Sequence, residues 1–121
     1  MQSRPFFMLG FSALRLLIAV YLQGTHNMEC SSVITSLHAF KRMIQRSISP
    51  ADVKAVINQG EIINRYPDDQ PFPSVLMLRT IDKRPIHVVV GKNDESGECI
   101  IITVYVAGEE YWESDFKTKK E

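Results

Sequence analysis

Apolar residues recur at helical spacing early in the chain. Val33, Leu37, Phe40 and Ile44 follow i, i+4, i+7 and i+11, the stripe of a helix that faces a core. Thr35 or Ser36 can cap this helix, which runs to about Arg46. Ser47-Ile48-Ser49-Pro50 breaks it. Ser49 then caps a second helix, with Pro50 as its first helical residue and Asp52 in its first turn. Val53, Val56 and Ile57 point inward there, and Gly60 reads as a left-handed terminator.

From Glu61 the period changes to two. Strands are expected at Glu61–Tyr66, Ser74–Thr80, Arg84–Val90 and Glu98–Val106. A Pro-rich loop separates the first two, and Asp82-Lys83-Arg84 makes a tight turn. Short connections argue for an antiparallel meander. The expected fold is α+β: two N-terminal helices packed on a four-stranded antiparallel sheet, within a single domain over residues 28–121. Tyr111 and Trp112 are expected to pack at the sheet edge, and the closing Lys-Thr-Lys-Lys-Glu run to fray.

Residues 1–27 stand apart. Residues 6–22 are apolar except for Ser12 and Arg15. A membrane anchor would be slightly short and would carry Arg15 near its centre, at roughly 2.5–3.5 kcal/mol. A signal peptide lacks an Ala-x-Ala site. An upstream start, outside the domain proper, fits the abrupt change of pattern at Met28 and is the favoured reading. It makes the protein cytoplasmic, with a membrane-anchored form as the alternative.

Charge changes the picture locally. Residues 28–121 carry 12 basic and 14 acidic side chains, a net of −2, so no broad basic field awaits nucleic acid. Yet no acid stands between Glu29 and Asp52, where Lys41, Arg42 and Arg46 cluster. His38, Arg42 and Arg46 are four apart and share one helix face. An imidazole that exchanges protons near neutral pH beside two guanidiniums suits phosphate chemistry; it is also what a solvated helix face looks like. In the strands, Ile86, Val88 and Val90 share one face, as do Ile100, Ile102, Val104 and Val106, and these faces should meet the helices. His87, Thr103 and Tyr105 then gather on the second face, open to solvent or ligand. For His87, a partly buried, hydrogen-bonded ring is the plainer reading. Cys30 and Cys99 form no Cys/His set with metal-ligand spacing; they read as two reduced thiols, with a disulfide as the alternative in an oxidising compartment. Gly-rich phosphate loops, a GxSxG elbow and HExxH are absent from the sequence.

The order of SLHAFKRMIQRSISPADVKAVINQGEII, Tyr66-Pro67-Asp68-Asp69, RPIHVVVG, IIITVY and Tyr111-Trp112-Glu113 resembles the bacterial domain-of-unknown-function family 4258 over about residues 33–116. Ala107 stands where that family usually has proline. The resemblance implies likeness to RelE-type, barnase-like ribonucleases and to toxins of type II toxin–antitoxin pairs, partnered by a small zinc-finger antitoxin. It implies cleavage of RNA without metal or cofactor. His38 and His87 would share the acid and base roles close to one phosphate, Arg42, Arg46 and Lys41 would hold that phosphate, and Tyr105 or Thr103 would donate to it. A non-catalytic protein- or RNA-binding module of the same fold is the alternative.

Overall fold

The computed structural model describes residues 28–121; the hydrophobic extension read at 1–27 lies outside the described residues. In chain order the elements are β1 (Ser32–Thr35), α1 (Leu37–Arg46), α2 (Pro50–Gln59), β2 (Glu61–Tyr66), β3 (Ser74–Ile81), β4 (Arg84–Lys92) and β5 (Glu98–Val106). They build an α+β domain on one five-stranded sheet of order β1-β5-β4-β3-β2. The β2–β5 meander is antiparallel as expected, but the sheet is mixed: β1 precedes both helices and pairs parallel to β5, Val33 opposite Cys99 and Thr35 opposite Ile101. The short, β-branched Ser-Val-Ile-Thr run thus forms an edge strand, and Val33 belongs to it rather than to the helix stripe.

Both helices have built caps. Ser36 Oγ accepts from the Ala39 N–H at the start of α1. Ser49 and Asp52 form a reciprocal capping box on α2. At the end of α1 it is Ser47 that takes the left-handed conformation, with φ 54°. Gly60 does not; its φ is −80°. Glycine is required there for space, because a Cβ would stand 2.3 Å from the Val56 carbonyl oxygen and 2.9 Å from that of Leu78. Arg84 reaches from β4 to the last carbonyls of α1, at Arg46 and Ser47, and on to Asp52. It fixes the corner between the helices.

The core lies between the helices and one sheet face: Val53, Val56 and Ile57 against Val75, Met77, Ile86, Val88 and Val90. Burial on α1 departs from the expected stripe. Ala39 and Met43 are buried, while Leu37, Phe40 and Ile44 are 69%, 52% and 65% exposed. The helix sits at the β5 side of the sheet, where only a narrow stripe meets the core. A bulge in β5 redistributes its aliphatic side chains. Val90 opposes Ile101 but Val89 opposes Thr103, leaving Ile102 as the extra residue. Ile101 and Val104 therefore both enter the core, and Ile102 is exposed instead of sharing their face.

The second sheet face is covered, not open. Residues 107–121 fold back on it, with Trp112 bridged to Lys119, Lys120 N–H bonded to the Tyr111 carbonyl, and Lys117 paired to Glu61 on β2. The expected frayed end is thereby tied down. Cys30 and Cys99 form a disulfide, the alternative to two free thiols, linking the segment before β1 to the start of β5. Among the described residues, no helix is long and apolar enough to cross a membrane.

Candidate functional site

A cleft of about 540 Å³ opens between α1 and the second half of β5. Its helical wall is His38, Arg42 and Arg46, successive turns of one face, as the four-residue spacing requires. This face flanks the buried Ala39–Met43 line. Beyond Thr35, where β1 ends, α1 takes over beside β5: Ser36 N–H donates to the Ile101 carbonyl and its hydroxyl to that of Ile102. That anchor brings His38 Nε2 within 3.1 Å of Thr103 Oγ1. Thr103 and Tyr105 form the strand wall, and Glu110, Tyr111 and Trp112 from the folded-back tail close the far side.

Charge in the cleft is dominated by the two guanidiniums. Among the described residues the ion pairs are Arg84–Asp52 and Lys117–Glu61, neither of them in the cleft. Arg42 makes one bond to a neutral group, Gln45, at 3.3 Å. Because Arg84 caps α1, Arg46 is not needed for that task and lines the cleft. Five of the expected residues, His38, Arg42, Arg46, Thr103 and Tyr105, thus converge from two elements. Lys41 is exposed on α1 but is not part of the cleft lining.

His87 is placed differently from the expected acid–base partner of His38. Its ring is fully buried behind Tyr105, edge-on to Trp112 at a centroid distance of 4.5 Å. Nε2 lies 2.8 Å from the Phe116 carbonyl oxygen and Nδ1 3.1 Å from the Tyr105 hydroxyl. A carbonyl can only accept, so Nε2 carries the hydrogen, and Nδ1 of the neutral ring accepts from Tyr105. Burial pushes the His87 pKa down, against a smaller upward pull from the Phe116 carbonyl. With both nitrogens engaged, the ring has no free edge for a bound phosphate.

This arrangement also assigns the Tyr105 proton. Its O–H is committed to His87, so the oxygen presents lone pairs to anything else that approaches. Burial, with a smaller contribution from the Tyr66 phenol, raises the Tyr105 pKa and keeps the group protonated. Tyr105 is therefore suited to accept a hydrogen bond from a ligand hydroxyl rather than to donate to a phosphate, a correction to the role expected from sequence. Glu110 is the cleft residue that sequence reading passed over; it lies beyond the last strand, and nothing in the local pattern shows that the tail returns to the cleft. No group of three or more His, Cys, Asp or Glu that could hold a metal is present among the described residues.

The family described as Domain of unknown function (DUF4258) matches residues 35–106, well over half of the chain, and the chain belongs to it. The match includes His38, Arg42, Arg46, His87, Thr103 and Tyr105 and ends before Glu110. No curated protein and no solved structure matches the chain.

Proposed function

We propose that the cleft binds RNA and that the protein is a metal-independent endoribonuclease of the toxin type. The carrying observation is the convergence of one exposed histidine and two arginines on a cleft that also presents Tyr111 and Trp112. Arginines hold phosphate, and aromatic faces stack unpaired bases, so the cleft offers both parts of a nucleotide a partner.

In this reading Arg42 and Arg46 stabilise the charge that builds on the phosphorane. Glu110 takes the proton of the ribose 2′-hydroxyl, whose oxygen attacks phosphorus. The P–O5′ bond breaks, and His38 protonates the departing 5′-oxygen. The products are a 2′,3′-cyclic phosphate and a free 5′-hydroxyl. Thr103 orients His38. Tyr105, itself oriented by His87, accepts from a ribose hydroxyl. By the family resemblance, the physiological partner of such a toxin is a zinc-finger-type antitoxin, and its place of action the cytoplasm.

The burial of His87 favours a second reading, a non-catalytic RNA- or protein-binding module, because it removes one of the two histidines expected to act. Incubating purified protein with a mixed-sequence RNA in the presence of EDTA separates the two. Fragments ending in cyclic phosphate, absent with His38→Ala, are the expected result. RNA retained intact, with or without binding, would overturn the nuclease.

A further inference from the structure

The two edges of the sheet are guarded unequally. At one edge, β2 carries a bulge between Ile62 and Asn64, the charged Glu61 and Arg65, and an ion pair from Glu61 to Lys117 of the tail. Such devices stop a sheet from growing. At the other edge, β1 is outermost among the described residues and carries none of them. Its Ser-Val-Ile-Thr run pairs with β5 in unbroken register, holds no charge and no proline, and is exposed at all four positions. Shortness is its one defence.

The surface around β1 is apolar as well. A second hollow, about 510 Å³, lies on the other side of α1 from the cleft. Phe40 and Met43 of α1, Val53 and Ile57 of α2, and Val33 and Ile101 of the sheet line it. Beyond Thr35, α1 continues the same edge beside β5, where Ser36 anchors it. Val33, Ile34, Leu37, Phe40 and Ile44 are five of the seven large apolar residues left exposed among the described residues, and all five belong to β1 or α1. A patch so concentrated marks an interface.

We propose that this edge is covered by a second copy of the chain, the two β1 strands pairing antiparallel about a two-fold axis normal to the sheet. Two observations select that partner. The first is charge. Glu29 stands just before β1 and Glu98 opposite its first residue, while Lys41 stands beyond its end, on the outer face of α1 with Leu37 and Ile44. Antiparallel pairing sets the acidic end of each edge against the basic end of the other. The surface is thus complementary to itself, as a two-fold contact requires. The second is area. A stable interface takes about 800 Å² from each partner. The five apolar residues, with the exposed Glu29, Ser32, Thr35 and Lys41, supply an area of that order. The two sheets then join into one, with the helices of both copies on the same side and Val33 of each at the mouth of the other's groove. The His38–Arg42–Arg46 face is no part of this surface, so the dimer stands independently of the proposed reaction.

The test is sedimentation equilibrium of the full chain, wild type and Ile34→Lys, with folding checked by circular dichroism. The expected result is twice the chain mass for the wild type and a single chain mass for the folded variant. A wild-type dimer is then assembled from light and isotope-labelled chains and treated with a zero-length carbodiimide cross-linker. Mixed-isotope links from Glu29 to Lys41 are expected. A monomeric wild type, or a dimer that survives Ile34→Lys, would overturn the proposal. Absence of the mixed Glu29–Lys41 link would overturn the antiparallel pairing even in a dimer. Mixed links from Lys41 to Glu61 on β2 would overturn it in favour of a head-to-tail chain.

Discussion

Two hollows of similar size flank one ten-residue helix, and they are chemically opposite. The cleft beside His38 is walled by guanidiniums, hydroxyls, a carboxylate and aromatic edges. The groove beside Phe40 is walled mainly by aliphatic and aromatic carbon, with Cys30 and Thr35 at the β1 side and Lys54 and Asn58 on its α2 side. The buried Ala39–Met43 line runs between them. Amphipathicity in α1 therefore has three sectors rather than two: a narrow one in the core, a polar one lining the cleft and an apolar one lining the groove. An apolar helix position says only that water is unwelcome there, and the fold decides whether the sheet or a later arrival excludes it.

The largest expected effect lies on the cleft side. His38→Ala should lower the rate of RNA cleavage by about 10²–10⁴-fold, the usual contribution of a positioned proton donor. Because His38 is exposed, the thermal midpoint should change little. Phe40→Gln on the groove side should leave cleavage untouched. A comparable loss of cleavage for both would mean that the two hollows are one functional unit, and the contrast would fail.

The disulfide sharpens the comparison because Cys30 lines the groove and not the cleft. The bond spans a sequence separation of 69, so removing it with Cys30→Ser should cost about 4 kcal/mol by loop-closure entropy. Urea unfolding of the variant measures this. Residual cleavage by the folded fraction should be unchanged, since Ser36 holds α1 to β5 independently of β1. A disulfide persists in an oxidising compartment, whereas a cytoplasmic toxin would have to fold and act with these thiols reduced. Cleavage that collapses on reduction would sink the cytoplasmic part of the functional reading.

Much of this molecule was legible from residue pattern. The meander declared itself through period-two runs and short turns, and both helices through their serines, Pro50 and the breaks that follow. The polar face of α1 was legible because a four-residue spacing fixes it before any tertiary contact forms. What escaped depends on long-range pairing. Ser32–Thr35 is too short to show a period, and it becomes a strand only because β5 lies beside it. The bulge at Ile102 shifts every later side chain of β5, so strict alternation placed Ile100 and Ile102 in a core they do not enter. Glu110 reaches the cleft only because a tail without regular structure folds back over the sheet.

His87 gives the next effect. His87→Leu keeps the volume but leaves the Phe116 carbonyl without its donor and the Tyr105 hydroxyl without its acceptor. Each loss of this kind is worth about 1–3 kcal/mol, and partial relaxation of the tail should keep the total near the lower end. The wild-type protein should also show a matching pH dependence. The folded His87 pKa is depressed, so below about 6.5 the unfolded chain binds a proton that the folded chain refuses. Stability should therefore fall as pH drops through that range and be flat above it. The variant should lack this slope. An equal slope in both proteins would locate the titration elsewhere.

The smallest effect tests the joint that the two hollows share. Ser36 Oγ accepts from the Ala39 N–H as the cap of α1 and donates to the Ile102 carbonyl beside the bulge. Ser36→Ala removes both bonds while leaving the backbone bond to Ile101. The cost in stability should be about 1 kcal/mol, typical of a lost N-cap. The more telling quantity is cleavage per folded molecule. His38 stands two residues into the helix, held 3.1 Å from Thr103 by this anchor, and a small shift of the first turn would misplace it while Arg46 stays fixed by the corner at Arg84. Cleavage should therefore fall further than the folded fraction does, with RNA affinity largely retained. If activity simply tracks the folded fraction, Ser36 is a cap and nothing more, and the helix rather than its junction with β5 sets the cleft.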